Sequence, residues 1–179
     1  DGVFMGPVIS EATRKHLLMA QAKALNAGFE AVAPGGVLET GKNGFYVRPA
    51  VHVARPGVKS VAGYTDTELF APDLAVITVD SLEEGLAVAN DTEFGLSAAV
   101  FTQSQETFER CVDEVRVGVL HWNRSSAGAS GRLPFGGIRS SGNHRPAGIL
   151  MGQSCTYPLA LLLPAKADAP LPTWPGISF

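Results

Sequence analysis

The sequence predicts an α/β fold, a parallel sheet with helices on its faces. Three short apolar runs carry the expectation: 74–79 (LAVITV), 96–102 (LSAAVFT) and 117–122 (VGVLHW), each suited to a strand buried on both faces. Between them lie two segments with a helical apolar period, and each opens on a serine able to cap it. The links are short. The order βαβαβ therefore calls for parallel strands joined by right-handed crossovers.

The elements follow in chain order. Ser10 caps a helix running to about residue 27, with Glu11 placed well for the helix dipole and Leu17, Leu18 and Leu25 on its apolar face. Gly28 offers the left-handed stop. The β-rich stretches 29–33 (FEAVA) and 45–54 (FYVRPAVHVA) read as strands, and Gly35, Gly36, Gly41 and Gly44 punctuate the loop between them. Ser81 and Glu84 form a capping box, opening a helix that aligns Leu82, Leu86 and Ala89. Ser104 caps the next, where Phe108, Cys111, Val112 and Val115 recur at i, i+3, i+4 and i+7. After Trp122 the stretch 123–137 (NRSSAGASGRLPFGG) reads as a long functional loop anchored by Leu133 and Phe135. A short helix is expected after Pro146. The run 155–163 (CTYPLALLL) reads as a strand, at an edge because of Pro158. A proline-rich tail follows from Pro164.

Composition narrows the function. The chain has 179 residues, 45% of them hydrophobic and 17% charged, as in a globular domain. A net charge of −3 gives no electrostatic footprint for nucleic acid or an anionic membrane. No apolar run is long enough to span a bilayer. Cys111 and Cys155 make no disulfide framework and are expected as reduced thiols in the cytoplasm, Cys111 as a buried structural one. The opening, DGVFMGPVIS, lacks an initiator Met and a signal-peptide pattern, so the chain is expected to be a piece of something longer. Neither G-x-G-x-x-G nor a P-loop nor a G-x-S-x-G elbow occurs, and the four histidines have no metal-ligand spacing. No metal is expected.

Four motifs go further. TELFAP (67–72), NDTEFGLSAAVFT (90–102), GVLHWN (118–123) and PFGGIRSSGNHR (134–145) stand in the order and spacing that resemble the C-terminal third of the aldehyde dehydrogenase superfamily, and MGPVIS (5–10) adds to this. The family pattern E-x-F-G-P has Ala71 here in place of its glycine; P-F-G-G-x-K-x-S-G-x-G-R-E has Arg139 for lysine, His144 for glycine and Pro146 for glutamate. ELFAP, HWN, SGNHR and the late CTYPLALL are similar to the branch that oxidises N-succinylglutamate 5-semialdehyde in arginine catabolism.

The resemblance implies an NAD-dependent oxidoreductase, with NADP left open. Residues 1–153 belong to its three-layer catalytic domain, 154–163 form an oligomerisation strand and 164–179 a tail. Glu68 then accepts the two hydroxyls of the nicotinamide ribose, for which two carboxylate oxygens are suited. Phe70 packs by the nicotinamide. Phe135 lines the aldehyde tunnel. Asn123, Arg124, Ser125, Ser126 and Ser130 lie in the substrate-anchoring loop, where cationic and hydroxyl donors suit a substrate with two carboxylates. Gly136 and Gly137 allow close backbone approach, Arg139 and Arg145 tie the loop down through buried hydrogen bonds, and His144 is structural. The family's nucleophilic cysteine, general base and dinucleotide fold lie upstream, so no catalytic residue falls in this stretch. The 179 residues alone are expected to be inactive, partnered by the N-terminal part of the same protein and by a second copy. The alternative is a stand-alone, non-catalytic binding or assembly module.

Overall fold

The computed structural model describes residues 5–142, 147–163, 166 and 175–176. Its elements are α1 (Glu11–Asn26), β1 (Phe29–Pro34), β2 (Ala50–Ala54), β3 (Asp73–Val76), α2 (Leu82–Asn90), β4 (Ser97–Val100), α3 (Gln105–Glu114), β5 (Val119–Trp122), β6 (Pro134–Phe135), β7 (Ala147–Gly148) and α4 (Met151–Ser154), with a 3-10 turn at Arg139–Ser141.

All three serine caps form. Ser10, Ser81 and Ser104 each accept, through Oγ, the amide three residues on, at 3.1, 3.2 and 3.1 Å. In the second, Glu84 reaches back to the amide of Asp80 rather than that of Ser81. α1 buries Leu17, Ala20, Gln21 and Ala24. That i, i+3, i+4, i+7 stripe includes only one of the three leucines expected to face inward: Leu18 lies beside it and Leu25 is exposed. Gly28, at φ +104°, turns the chain from α1 into β1.

One sheet has the order β1-β2-β3, with β1 antiparallel and β3 parallel to β2. Ala50, His52 and Ala54 alternate onto the inner face of β2. Two core clusters lie there, Ala20–Ala24–Phe29–Ala54–Val61–Tyr64 and Val8–Leu17–Val47, and Leu69 packs against both. A second sheet pairs β4 with β5 in parallel, Ser97 opposite Val119 and Val100 opposite Trp122. β6 and β7 make a short antiparallel pair.

The α/β alternation is as expected, but three strand features are not. β3 does not share a sheet with β4 and β5; its hydrogen bonds go to β2 instead. Neither β3 nor β4 is buried on both faces: Leu74 is exposed on β3, the edge strand of its sheet, and every residue of β4, in a two-stranded sheet, is half-buried. The run 155–163 forms no strand. No described strand pairs with it, and Leu159, Leu161, Leu162 and Leu163 are exposed. A short helix does follow position 146, as α4. His144, Arg145, Pro146 and most of the tail lie outside the described residues.

The helices α2 and α3 are clamped together. Arg110 on α3 donates through Nη1 to Glu83 and through Nε to Glu114, both at 2.6 Å. Asn90, at the end of α2, donates to the carbonyl of Glu114 and accepts the amide of Arg116. The hydrogen bond from Arg110 holds the Glu83 carboxyl at about 2, below its ordinary 4.5. A depressed carboxyl contributes stability above its unfolded value and loses it as pH falls. This clamp should therefore be intact above about 4.5 and open as pH drops toward about 2. NMR titration of Glu83 is expected to show that low midpoint, and Arg110→Met to return it toward 4.5.

Candidate functional site

The loop between Tyr64 and Asp73 carries two of the expected site residues. Leu69 is turned into the core, and its neighbours Glu68 and Phe70 are therefore turned out. Phe70 is 80% exposed and sits at φ +49°, an uncommon conformation for a bulky residue. Glu68 takes part in none of the six ion pairs among the described residues. Phe70 lines a cleft of about 470 Å³ with Thr67, Tyr64 and Lys59. Glu68 lines a smaller one of about 250 Å³ with Phe94, Gly95 and Val117. Both clefts share Ala89 and Thr92, so the end of α2 forms a common wall.

The second constellation is a junction of glycines. A Cβ on Gly118 would lie 1.7 Å from the carbonyl oxygen of Gly136; one on Gly137, 2.5 Å from that of Ser141; one on Gly95, 2.8 Å from that of Arg116. The amides of Gly118 and Ile138 both donate to the carbonyl of Gly95, at 3.0 Å each. Ser140 N reaches Glu93 O, and Ser141 Oγ accepts Gly95 N. Arg139 donates Nη1 to the carbonyls of Asn90, at 2.9 Å, and Thr92. It ties the loop down as expected, but through exposed rather than buried bonds. The segments 90–95, 116–118 and 136–142, distant in sequence, are thus one packed unit, and a Cβ at three of its glycines has no room.

Beyond this junction lies a third cleft of about 510 Å³, lined by His121, Arg124, Ser130, Leu133 and Phe135 among others. Of the residues singled out in the sequence, Arg124, Ser130 and Phe135 line this one cleft. Ser125 and Ser126 are not in the wall: Ser125 Oγ accepts the amide of Ala127, and the carbonyl of Ser126 accepts Ser97 Oγ. Asn123, at φ +51°, spends its whole amide on Thr102, accepting that residue's N–H at 2.9 Å and donating to its carbonyl at 2.8 Å. Trp122 Nε1 donates to the same carbonyl while its ring stacks on Phe108 at 4.4 Å. Asn123 therefore locks the end of β5 to the end of β4.

Two features escaped the sequence reading. His121 is buried in the wall of this cleft, its Nε2 without a partner among the described residues. The second is a buried polar cluster. Asp73 Oδ1 accepts from Tyr64 Oη at 2.7 Å and His52 Nδ1 at 3.2 Å, and its Oδ2 accepts from Gln21 Nε2 at 2.8 Å. Burial, reinforced by the bond to Asp73 and its charge, pushes the Tyr64 hydroxyl far above the ordinary phenol range, keeping it a donor. A histidine on the inward face of the alternating strand AVHVA was the available signal. Cys111 is buried, and burial raises its thiol, as suits a structural residue. No described cluster of three metal-ligating side chains occurs.

The family model of the aldehyde dehydrogenase family matches residues 1–158. The chain belongs to the aldehyde dehydrogenase family. Among relatives of this family, the N-succinylglutamate 5-semialdehyde dehydrogenase of Serratia proteamaculans is 34% identical over 179 residues, covering 98% of this chain and 35% of that protein. The enzyme of the same name from a Caulobacter species is 40% identical over 161 residues, covering 88% and 31%. The chain thus spans about a third of the length of the curated relatives it matches. A 1-pyrroline-5-carboxylate dehydrogenase from Thermus with bound NAD superposes with a TM-score of 0.71 at 36% identity, over 81% of this chain and 27% of that one. The indole-3-acetaldehyde dehydrogenase AldA of P. syringae, in complex with NAD+, gives 0.75 at 28% identity, over 84% and 30%. The α/β character of this aldehyde dehydrogenase segment is shared with those structures.

The glycine junction makes a stability prediction. Gly118→Ala is expected to cost about 3 kcal/mol, the upper end of overpacking. Gly131→Ala, where a Cβ meets nothing within 4 Å, should change stability by less than about 0.5 kcal/mol. Urea unfolding midpoints check both.

Proposed function

We propose that this chain is the coenzyme- and substrate-facing portion of an NAD-dependent aldehyde dehydrogenase that oxidises N-succinylglutamate 5-semialdehyde to N-succinylglutamate. The observation that carries the reading is the outward pair Glu68 and Phe70, flanking the anchored Leu69 in the TELFAP motif. The names of the relatives supply the substrate.

The residues present fit a nicotinamide coenzyme. Glu68 offers a carboxylate with no ion-pair partner among the described residues, in the wall of a cleft, suited to two vicinal hydroxyls. Phe70 offers an exposed ring at the adjoining cleft, which shares Ala89 and Thr92 with the first, and it suits a planar heterocycle. When bound, NAD supplies the hydride acceptor. In this reading Glu68 fixes the ribose and Phe70 limits where the nicotinamide lies.

The cleft holding Arg124, Ser130 and Phe135 takes the substrate. Arg124 and the hydroxyl of Ser130 suit a carboxylate at the far end, and Phe135 suits the aliphatic stem. Asn123, Ser125 and Ser126 shape the loop that presents them. The nucleophile and general base come from the remainder of the parent protein, so the 179 residues alone oxidise no aldehyde. The exposed leucines of 159–163 suit burial against a second copy of the parent. The thiols of Cys111 and Cys155 are free, which suits the cytoplasm, and no described helix is long and apolar enough to cross a membrane.

NADH formation by the full-length protein with N-succinylglutamate 5-semialdehyde tests this. Glu68→Gln is expected to raise KM for NAD about ten-fold, the scale of one lost charged hydrogen bond. An unchanged KM would remove Glu68 from the coenzyme site. Turnover of simpler aldehydes but not of this one would discard the substrate.

A further inference from the structure

The loop that carries Glu68 and Phe70 begins and ends on the same carboxylate. Tyr64, its first residue, donates its hydroxyl to Asp73, its last, at 2.7 Å. His52 on β2 and Gln21 on α1 donate to that carboxylate as well, at 3.2 and 2.8 Å. The side chains of His52 and Asp73 are 0% and 2% exposed, and Tyr64 and Gln21 are buried. The Tyr64 ring is wedged edge-on between Phe29 and His52, with centroids at 5.3 and 5.7 Å. Between these fixed ends only Leu69 and Ala71 pack against the core.

An apolar residue at the head of β3 would continue the sheet without desolvating a carboxylate. Asp73 adds one geometry for the chain reversal that an apolar pair could not specify, since two oxygens face three donors in fixed directions. Its consequence falls on the residues held between the ends. Phe70 keeps a left-handed backbone while four-fifths exposed, a state that persists only where its surroundings impose it.

We propose that Tyr64 and Asp73 are positioning residues for the coenzyme contact, closing the 64–73 loop so that Glu68 is aimed before the coenzyme arrives. This rests on the reading of Glu68 given above. Neither residue touches the coenzyme.

Tyr64→Phe removes the closing hydroxyl and keeps the ring. In the full-length dehydrogenase it is expected to raise KM for NAD about five-fold, one hydrogen bond's worth. KM for the aldehyde should stay within about two-fold. KM does not depend on the folded fraction, so partial unfolding cannot mimic this. The double variant Tyr64→Phe/Glu68→Gln decides the mechanism. If Tyr64 acts through Glu68, the double variant should be within about two-fold of Glu68→Gln alone. A product of the two effects, about fifty-fold, or a Tyr64→Phe enzyme with unchanged KM, would overturn the positioning role and leave the Glu68 reading intact. A silent Glu68→Gln would overturn both.

Discussion

The carboxylate of Asp73 sits where water does not reach, and a buried carboxylate is tolerated only when its lone pairs are engaged. Three donors engage it, one each from α1, β2 and the loop that precedes β3. This requirement fixes several things together. α1 must present Gln21 toward the sheet, β2 must turn His52 inward, and the chain from 64 to 73 must return on itself within ten residues. Tyr64 belongs to one of the two core clusters, and Leu69 packs against both. The outward aim of Glu68 and Phe70 follows from the inward placement of Leu69, and so from the closure of the loop.

The other half of the molecule depends on a steric constraint instead. Gly95, Gly118 and Gly137 lie where a Cβ would strike another backbone, and the bonds of Arg139 and Ser141 hold the three segments in that contact. Three of the motifs by which the family is recognised, NDTEFGL, GVLHWN and PFGGIRSSG, are thereby the three sides of one junction. One side of it opens on the Glu68 cleft, through Gly95 and Val117; the other opens on the Phe135 cleft, through Gly118. A shift of the junction would move both walls.

Features set by neighbours in sequence were legible; features set by distant partners were not. The serine caps at 10, 81 and 104 depend on an oxygen and an amide three residues apart, and each formed. The helices α2 and α3 were legible from their periods. The sheet that β3 joins was not, since LAVITV fits any parallel neighbour and its partner, β2, is more than twenty residues away. The same reason separates CTYPLALLL from an actual strand: an apolar run has strand propensity, but no described strand pairs with it. Glu68 and Phe135 were singled out through motif resemblance. The Asp73 cluster was not, because its members span 52 positions and carry no motif. Asn123 was placed in the substrate-anchoring loop by resemblance; its bonds to Thr102 depend on a left-handed backbone that no motif announces.

The central claim is that a loop closed by Asp73 aims Glu68 at a nicotinamide coenzyme. The most direct test is a crystal structure of the full-length protein with NAD. The account predicts both oxygens of Glu68 within hydrogen-bond reach of the nicotinamide-ribose hydroxyls, with the Tyr64–Asp73 contact retained. A bound coenzyme whose ribose is held by other residues, with Glu68 turned to solvent, would contradict it.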